Sequence, residues 1–148
     1  LPSDDAYIRA DSPDSTFGLA TTIQADNSPV KNFLLKFYVN GLGTRQVTSA
    51  KLRLFAVDPS GNGGDFYRTA DTWDQGTVTW RNAPAPDTVR IASLGSVSTG
   101  VWYEIDITSV IVGDGVVSLR VSSPSSNGAD YSSKEGANPP QLVISFSS

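Results

Sequence analysis

An all-β domain, built as a two-sheet antiparallel β-sandwich of jelly-roll type, is what this sequence predicts, with a closed barrel as the second architecture. Three observations point there. Apolar and polar residues alternate with period two through most of the chain, helical periodicity is almost absent, and Gly, Pro, Asn and Asp punctuate the alternating segments. A length of 148 residues, 39% of them hydrophobic, suits one domain with a real core, and neither a linker nor a repeat divides 1–148.

Two short strands, 6–9 and 21–25, open the pattern. In 33–39, Phe33, Leu35, Phe37 and Val39 take the core side while Leu34, Lys36 and Tyr38 take the other. In 50–57 the inward set is Ala50, Leu52, Leu54 and Ala56, opposed by Lys51, Arg53, Phe55 and Val57. The weaker segments 66–69, 77–80 and 89–94 follow. Val101, Tyr103, Ile105 and Ile107 then oppose Trp102, Glu104 and Asp106. One helical turn is predicted over 108–112, with Thr108 capping its start and Gly113 stopping it. Val117, Leu119 and Val121 define the next strand, and Leu142, Ile144 and Phe146 the last. About ten strands result.

Composition removes most chemistry. Without cysteine or histidine there is no thiolate or imidazole ligand, no disulfide and no neutral-pH base. A net charge of -4 and a pI near 4.6 argue against a nucleic-acid binder, which needs a basic face. The sequence has no apolar run of membrane-spanning length. It starts at Leu1 and contains no methionine, as expected of a mature form or a piece of a larger secreted or cell-surface protein. Abundant Ser, Thr, Gly and Asp suit an extracellular β-rich module.

Four groups of residues carry whatever chemistry the chain has. Of the tryptophans, Trp80 is expected in the core and Trp73 over a sheet edge. Trp102, sharing its face with Glu104 and Asp106, is expected to be partly exposed, where an indole beside carboxylates matches the apolar face and polar rim of a sugar. Glu104 and Asp106 lie about 7 Å apart along a strand. Glycosidases use carboxylate pairs at roughly 5–9 Å, but solvated or cross-strand-paired carboxylates are the commoner meaning, so no enzyme is predicted. Asp11 and Asp14 in one loop, and Asp58, Ser60 and Asn62 in the segment 58–65, offer oxygens to a structural Ca²⁺, although the distal Glu of a hard-cation loop is replaced by Thr69 and a hairpin turn explains the second segment. Finally, Lys36, Lys51, Arg53 and Arg120 alternate with core positions and should point outward; on one sheet they would form a basic strip for carboxylated sugars.

The order of short phrases adds to this reading. DAYIR, DSTFG, LLKFYV, SAKLRLF, DTWDQGTVTWRNAP, GVWYEIDIT, GVVSLRVSS and SSKEGANPPQLVIS, in that sequence and over nearly the whole chain, resemble the DNRLRE domain and the related carbohydrate-binding module family 96. The resemblance implies a noncatalytic β-sandwich attached to polysaccharide-degrading enzymes or to surface proteins, with alginate among the ligand types and calcium as a structural ion. Lys31 stands where such domains often carry Arg, Lys134 replaces the Arg of a Ser-Arg-Glu phrase, and Tyr38 stands where Asp is common; these departures bear on any preference for polyuronates. The expected function is attachment to polysaccharide through Lys31, Lys36, Arg53, Lys134, Trp102 and Tyr38. A calcium-stabilised structural or adhesive repeat is the alternative.

Overall fold

The computed structural model describes residues 1–147. Ten strands follow one another: β1 (Asp4–Arg9), β2 (Thr22–Asn27), β3 (Val30–Val39), β4 (Gln46–Asp58), β5 (Gly64–Thr69), β6 (Pro86–Leu94), β7 (Trp102–Asp106), β8 (Gly115–Ser122), β9 (Ala129–Ser132) and β10 (Gln141–Ser147). A 3-10 turn, Thr108–Val110, is shorter than the expected helical turn. Asp106 starts it, accepting from the Thr108 amide at 2.9 Å, while the Thr108 hydroxyl accepts from the Ala50 amide.

All the ladders are antiparallel, and they run as one path, β10-β4-β9-β2-β3-β8-β5-β6, with β1 beside β3 and β7 beside β4. The all-β expectation is met, but the division into two separate sheets is not what the ladders show. β9 pairs with β2 from Thr22↔Ser132 to Ala25↔Ala129, and with β4 at Ala56↔Tyr131 and Asp58↔Asp130. It therefore joins two halves into one curled sheet. Their inward faces enclose a common core in which Phe33, Leu35 and Phe37 of β3 meet Leu52 and Leu54 of β4, Leu119 of β8 and Ile105 of β7. Tyr131 sits fully buried in it, edge-on to Phe33 with ring centroids 5.8 Å apart, and donates its hydroxyl to the Gly63 carbonyl at 2.7 Å. That bond satisfies the one polar atom the ring brings inside.

β3 is buried on both faces, which simple alternation does not predict. Its second face, with Ala6 and Ile8 of β1, packs against a smaller apolar cluster supplied by the connection between β5 and β6 through Trp73 and Val78. This connection corrects three expectations. Residues 77–80 form turns, not a strand: Asp74 accepts from the Gly76 amide and the Thr77 hydroxyl, and Asn82 accepts from the Thr79 amide. Backbone groups satisfied locally in this way have none left for a ladder. Trp73, not Trp80, is the buried indole: it is 6% exposed and donates Nε1 to the Ser118 hydroxyl at 2.8 Å, whereas Trp80 is half-buried at the margin. Lys36 and Arg120 point away from the main core as expected, yet the connection covers them, leaving 7% and 8% exposure.

The segment 58–65 differs as well. β4 and β5 do not pair, so it crosses between the two halves of the sheet instead of closing a hairpin.

Candidate functional site

The outer face of β10, β4 and β7 is left open. Alternation on β4 turns Lys51, Arg53 and Phe55 outward, and the register sets Gln141 of β10 and Glu104 of β7 on either side of Arg53. Lys51 lies between Val143 and Asp106, and Phe55 beside Trp102. With strands about 4.8 Å apart, the result is a shallow platform about 10 Å across.

Arg53 is its centre. Its Nη1 donates to Gln141 Oε1 at 2.7 Å, its Nε lies 3.5 Å from Glu104 Oε2, and its guanidinium carbon sits 4.7 Å from the Trp102 ring centroid. Stacked and paired in this way, the guanidinium is fixed in orientation and in turn braces the indole. Trp102 is half-buried, meeting Phe55 edge to face with centroids 5.3 Å apart and planes at 67°. An aromatic plate bordered by a guanidinium, an amide and a carboxylate can stack a pyranose ring and bond its hydroxyl rim.

Lys51 Nζ lies 3.4 Å from Asp106 Oδ2. Hydrogen bonds from the Thr108 side chain and backbone, reinforced by Lys51, hold the Asp106 carboxyl below its ordinary range. A general acid needs the opposite shift, so Asp106 is unsuited to that part.

The remaining predicted residues are dispersed. Lys36 donates to the Trp73 carbonyl with its ammonium 4.6 Å from the Trp73 ring centroid. It is a buried brace. Lys31 donates to Gln24 Oε1 at 2.6 Å near Tyr7, on a different part of the surface. Lys134 lies 3.0 Å from Glu135, and its amide donates to Asp5 Oδ2 at 2.8 Å. Tyr38 is 66% exposed, on the outer face of β3. Only Arg53 and Trp102 of the six come together. Phe55 joins them from the outward side that alternation already gave it, and Gln141 joins unannounced, because its only signal is the pairing register, which one sequence does not display.

Asp11 and Asp14, expected to present oxygens to calcium, face arginines in this structure. Asp11 spends both carboxylate oxygens on Arg9, and Asp14 both of its own on Arg81. In the second segment Asn62 Oδ1 accepts from the Gly64 amide and the Ser60 hydroxyl donates to the Asn127 carbonyl at 2.6 Å. Among the described residues, no group of three or more Asp or Glu could hold a metal.

The family model of carbohydrate-binding module family 96 matches residues 1–146. The chain belongs to that family. Comparison with curated proteins gives no match. As a family 96 module, the domain is of a noncatalytic kind whose partners are carbohydrates. No helix among the module's described residues is long and apolar enough to cross a membrane.

Proposed function

We propose that this module attaches a secreted or cell-surface protein to polysaccharide by laying the glycan across the outer face of β10, β4 and β7. The observation that carries the reading is the braced Trp102 plate, with Arg53 stacked on it and Glu104 and Gln141 alongside. Stacking supplies the desolvation of the sugar's apolar face, and the polar groups select its orientation. The platform is shallow, so affinity per site is modest, and the biological gain comes from raising the local concentration of a neighbouring domain in the parent chain.

Affinity electrophoresis through gels containing single polysaccharides, with Trp102→Ala as the partner sample, tests this. Retardation on at least one polymer that Trp102→Ala abolishes is the expected result, with the variant melting within about 4 °C of the parent because only a half-buried side chain is lost. Retardation that survives Trp102→Ala would move the site elsewhere on the module.

A further inference from the structure

Resting on the site proposed above, we infer that the platform takes a neutral pyranose polymer and rejects polyuronates. Recognition of a uronate needs a cation free to pair with each carboxylate, preferably an arginine offering two parallel donors. Each cation of the platform already faces a carboxylate, although the Arg53 Nε nearest Glu104 is buried without a hydrogen bond of its own. Lys51 faces Asp106 at 3.4 Å, and Arg53 faces Glu104 at 3.5 Å while also engaged by Gln141 and Trp102.

Exposure sharpens the point. The side chains of Glu104 and Asp106 are 59% and 61% accessible, against 30% for Arg53 and 39% for Lys51. An approaching polyanion therefore meets carboxylates first, and Thr108 together with Lys51 keeps Asp106 ionised. The same carboxylates suit a neutral sugar, because they accept hydrogen bonds from hydroxyls. Gln141, whose Oε1 is taken by Arg53, keeps its amide NH₂ to donate to a ring or hydroxyl oxygen. Elsewhere Lys36 and Arg120 are buried and Arg9, Arg81, Arg90 and Lys134 each face a carboxylate, while Lys31, Arg45 and Arg68, which face none among the described residues, lie off the platform's row of Lys51, Arg53 and Phe55.

The test is a panel of gels containing xylan, mixed-linkage β-glucan, galactomannan, alginate or polygalacturonate, run with the parent, Trp102→Ala and Glu104→Gln. The expected outcome is retardation on a neutral polymer, changed less than about twofold when ionic strength rises from about 0.02 to 0.3 M, since neutral contacts are not screened. Alginate and polygalacturonate should not retard the parent. Glu104→Gln, by releasing Arg53, should weaken neutral retention by about fivefold or more and introduce salt-sensitive retention on alginate. Parent retardation on alginate that Trp102→Ala removes would overturn the neutral preference and leave the platform standing. Retardation on alginate that Trp102→Ala does not alter would overturn both, and absence of retardation on every polymer would overturn the platform itself.

Discussion

Trp73 and Trp80 are each defined by a partner, and each partner implies a different mutational outcome. Trp73 fills the second apolar cluster and donates to the Ser118 hydroxyl, which itself donates to the Ala70 carbonyl, so Trp73→Ala leaves a cavity and removes one of that hydroxyl's two bonds; the expected cost is about 3–5 kcal/mol by urea denaturation. Trp80 lies half-buried over Arg120, 5.1 Å from the guanidinium carbon, and Trp80→Ala should cost about 1–2 kcal/mol. The reverse order would show that the β5–β6 connection packs differently in solution. Lys36 belongs with Trp73: Lys36→Ala strips the Trp73 carbonyl of its buried donor, at about 2–3 kcal/mol, and should leave glycan retardation unchanged. A loss of retardation in a fully folded Lys36→Ala would return this lysine to the binding surface.

Between elements, the tightest contact joins the loop after β1 to the connection after β5. A Cβ placed on Gly18 would stand 1.7 Å from the Gln75 carbonyl oxygen, which is backbone and has little room to retreat. Gly18→Ala should therefore lift the connection off the sheet, cost about 2–3 kcal/mol and increase the fluorescence exposure of Trp73, measurable by iodide quenching. Unchanged quenching would mean that the two loops separate without disturbing the cover. This cover marks the limit of what the sequence reveals. β3, β4, β7 and β8 are legible because each alternates over five or more positions and burial of the inward set follows, whereas on β10 Leu142 and Ile144 are only half-buried and Phe146, expected inside, is 44% exposed beyond the register slip between Ser145 and Phe146. That Leu34 and Lys36 are also buried is not legible, since it depends on where a loop lands 37 residues from Lys36 along the chain. Thr-Val-Thr-Trp at 77–80 looks like a strand by propensity, but its amides are captured first, those of Thr77 and Val78 by the Asp74 carbonyl and that of Thr79 by the Asn82 side chain. β9, four residues of Ala, Asp, Tyr and Ser, is too short and too polar to stand out, yet it holds the two halves together. The candidate site divides the same way: Trp102 and Glu104 follow from alternation on one strand, whereas Gln141 reaches Arg53 across 88 positions.

At the scale of the whole molecule, the chain's two ends are joined by a pair of carboxyl groups. Asp5 on β1 is 1% exposed; its Oδ2 accepts from the Lys134 amide, while its Oδ1 is buried without a hydrogen-bond partner. Burial, reinforced by Glu135 alongside and opposed by the Lys134 amide, pushes the Asp5 carboxyl up to about 7. Burial acts to raise Glu135 too, but hydrogen bonds from Lys134, Asp5 and Gln75 outweigh it and hold Glu135 below its ordinary range. Asp5 thus keeps its proton to higher pH than its neighbour Glu135. A group raised in the folded state binds a proton that the unfolded chain has already lost, so its contribution is complete below about pH 4 and disappears as pH climbs to about 7. Asp130, raised to about 6 by burial and by Asp58, acts in the same direction. Asp11, Asp14 and Asp106 act oppositely, being lowered by Arg9, Arg81 and Thr108, but they are exposed and lose their small contributions only below about pH 4. Melting temperature should therefore peak near pH 4–5 and fall toward pH 8. In Asp5→Asn the amide oxygen can accept from Lys134 and the amide NH₂ can donate to Glu135 at every pH. That variant should melt a few degrees above the parent at pH 8, match it near pH 4 and show a shallower slope between. Parallel slopes in the two proteins, recorded by scanning calorimetry in matched buffers, would assign the pH dependence to groups other than the one linking β1 to the segment before β10.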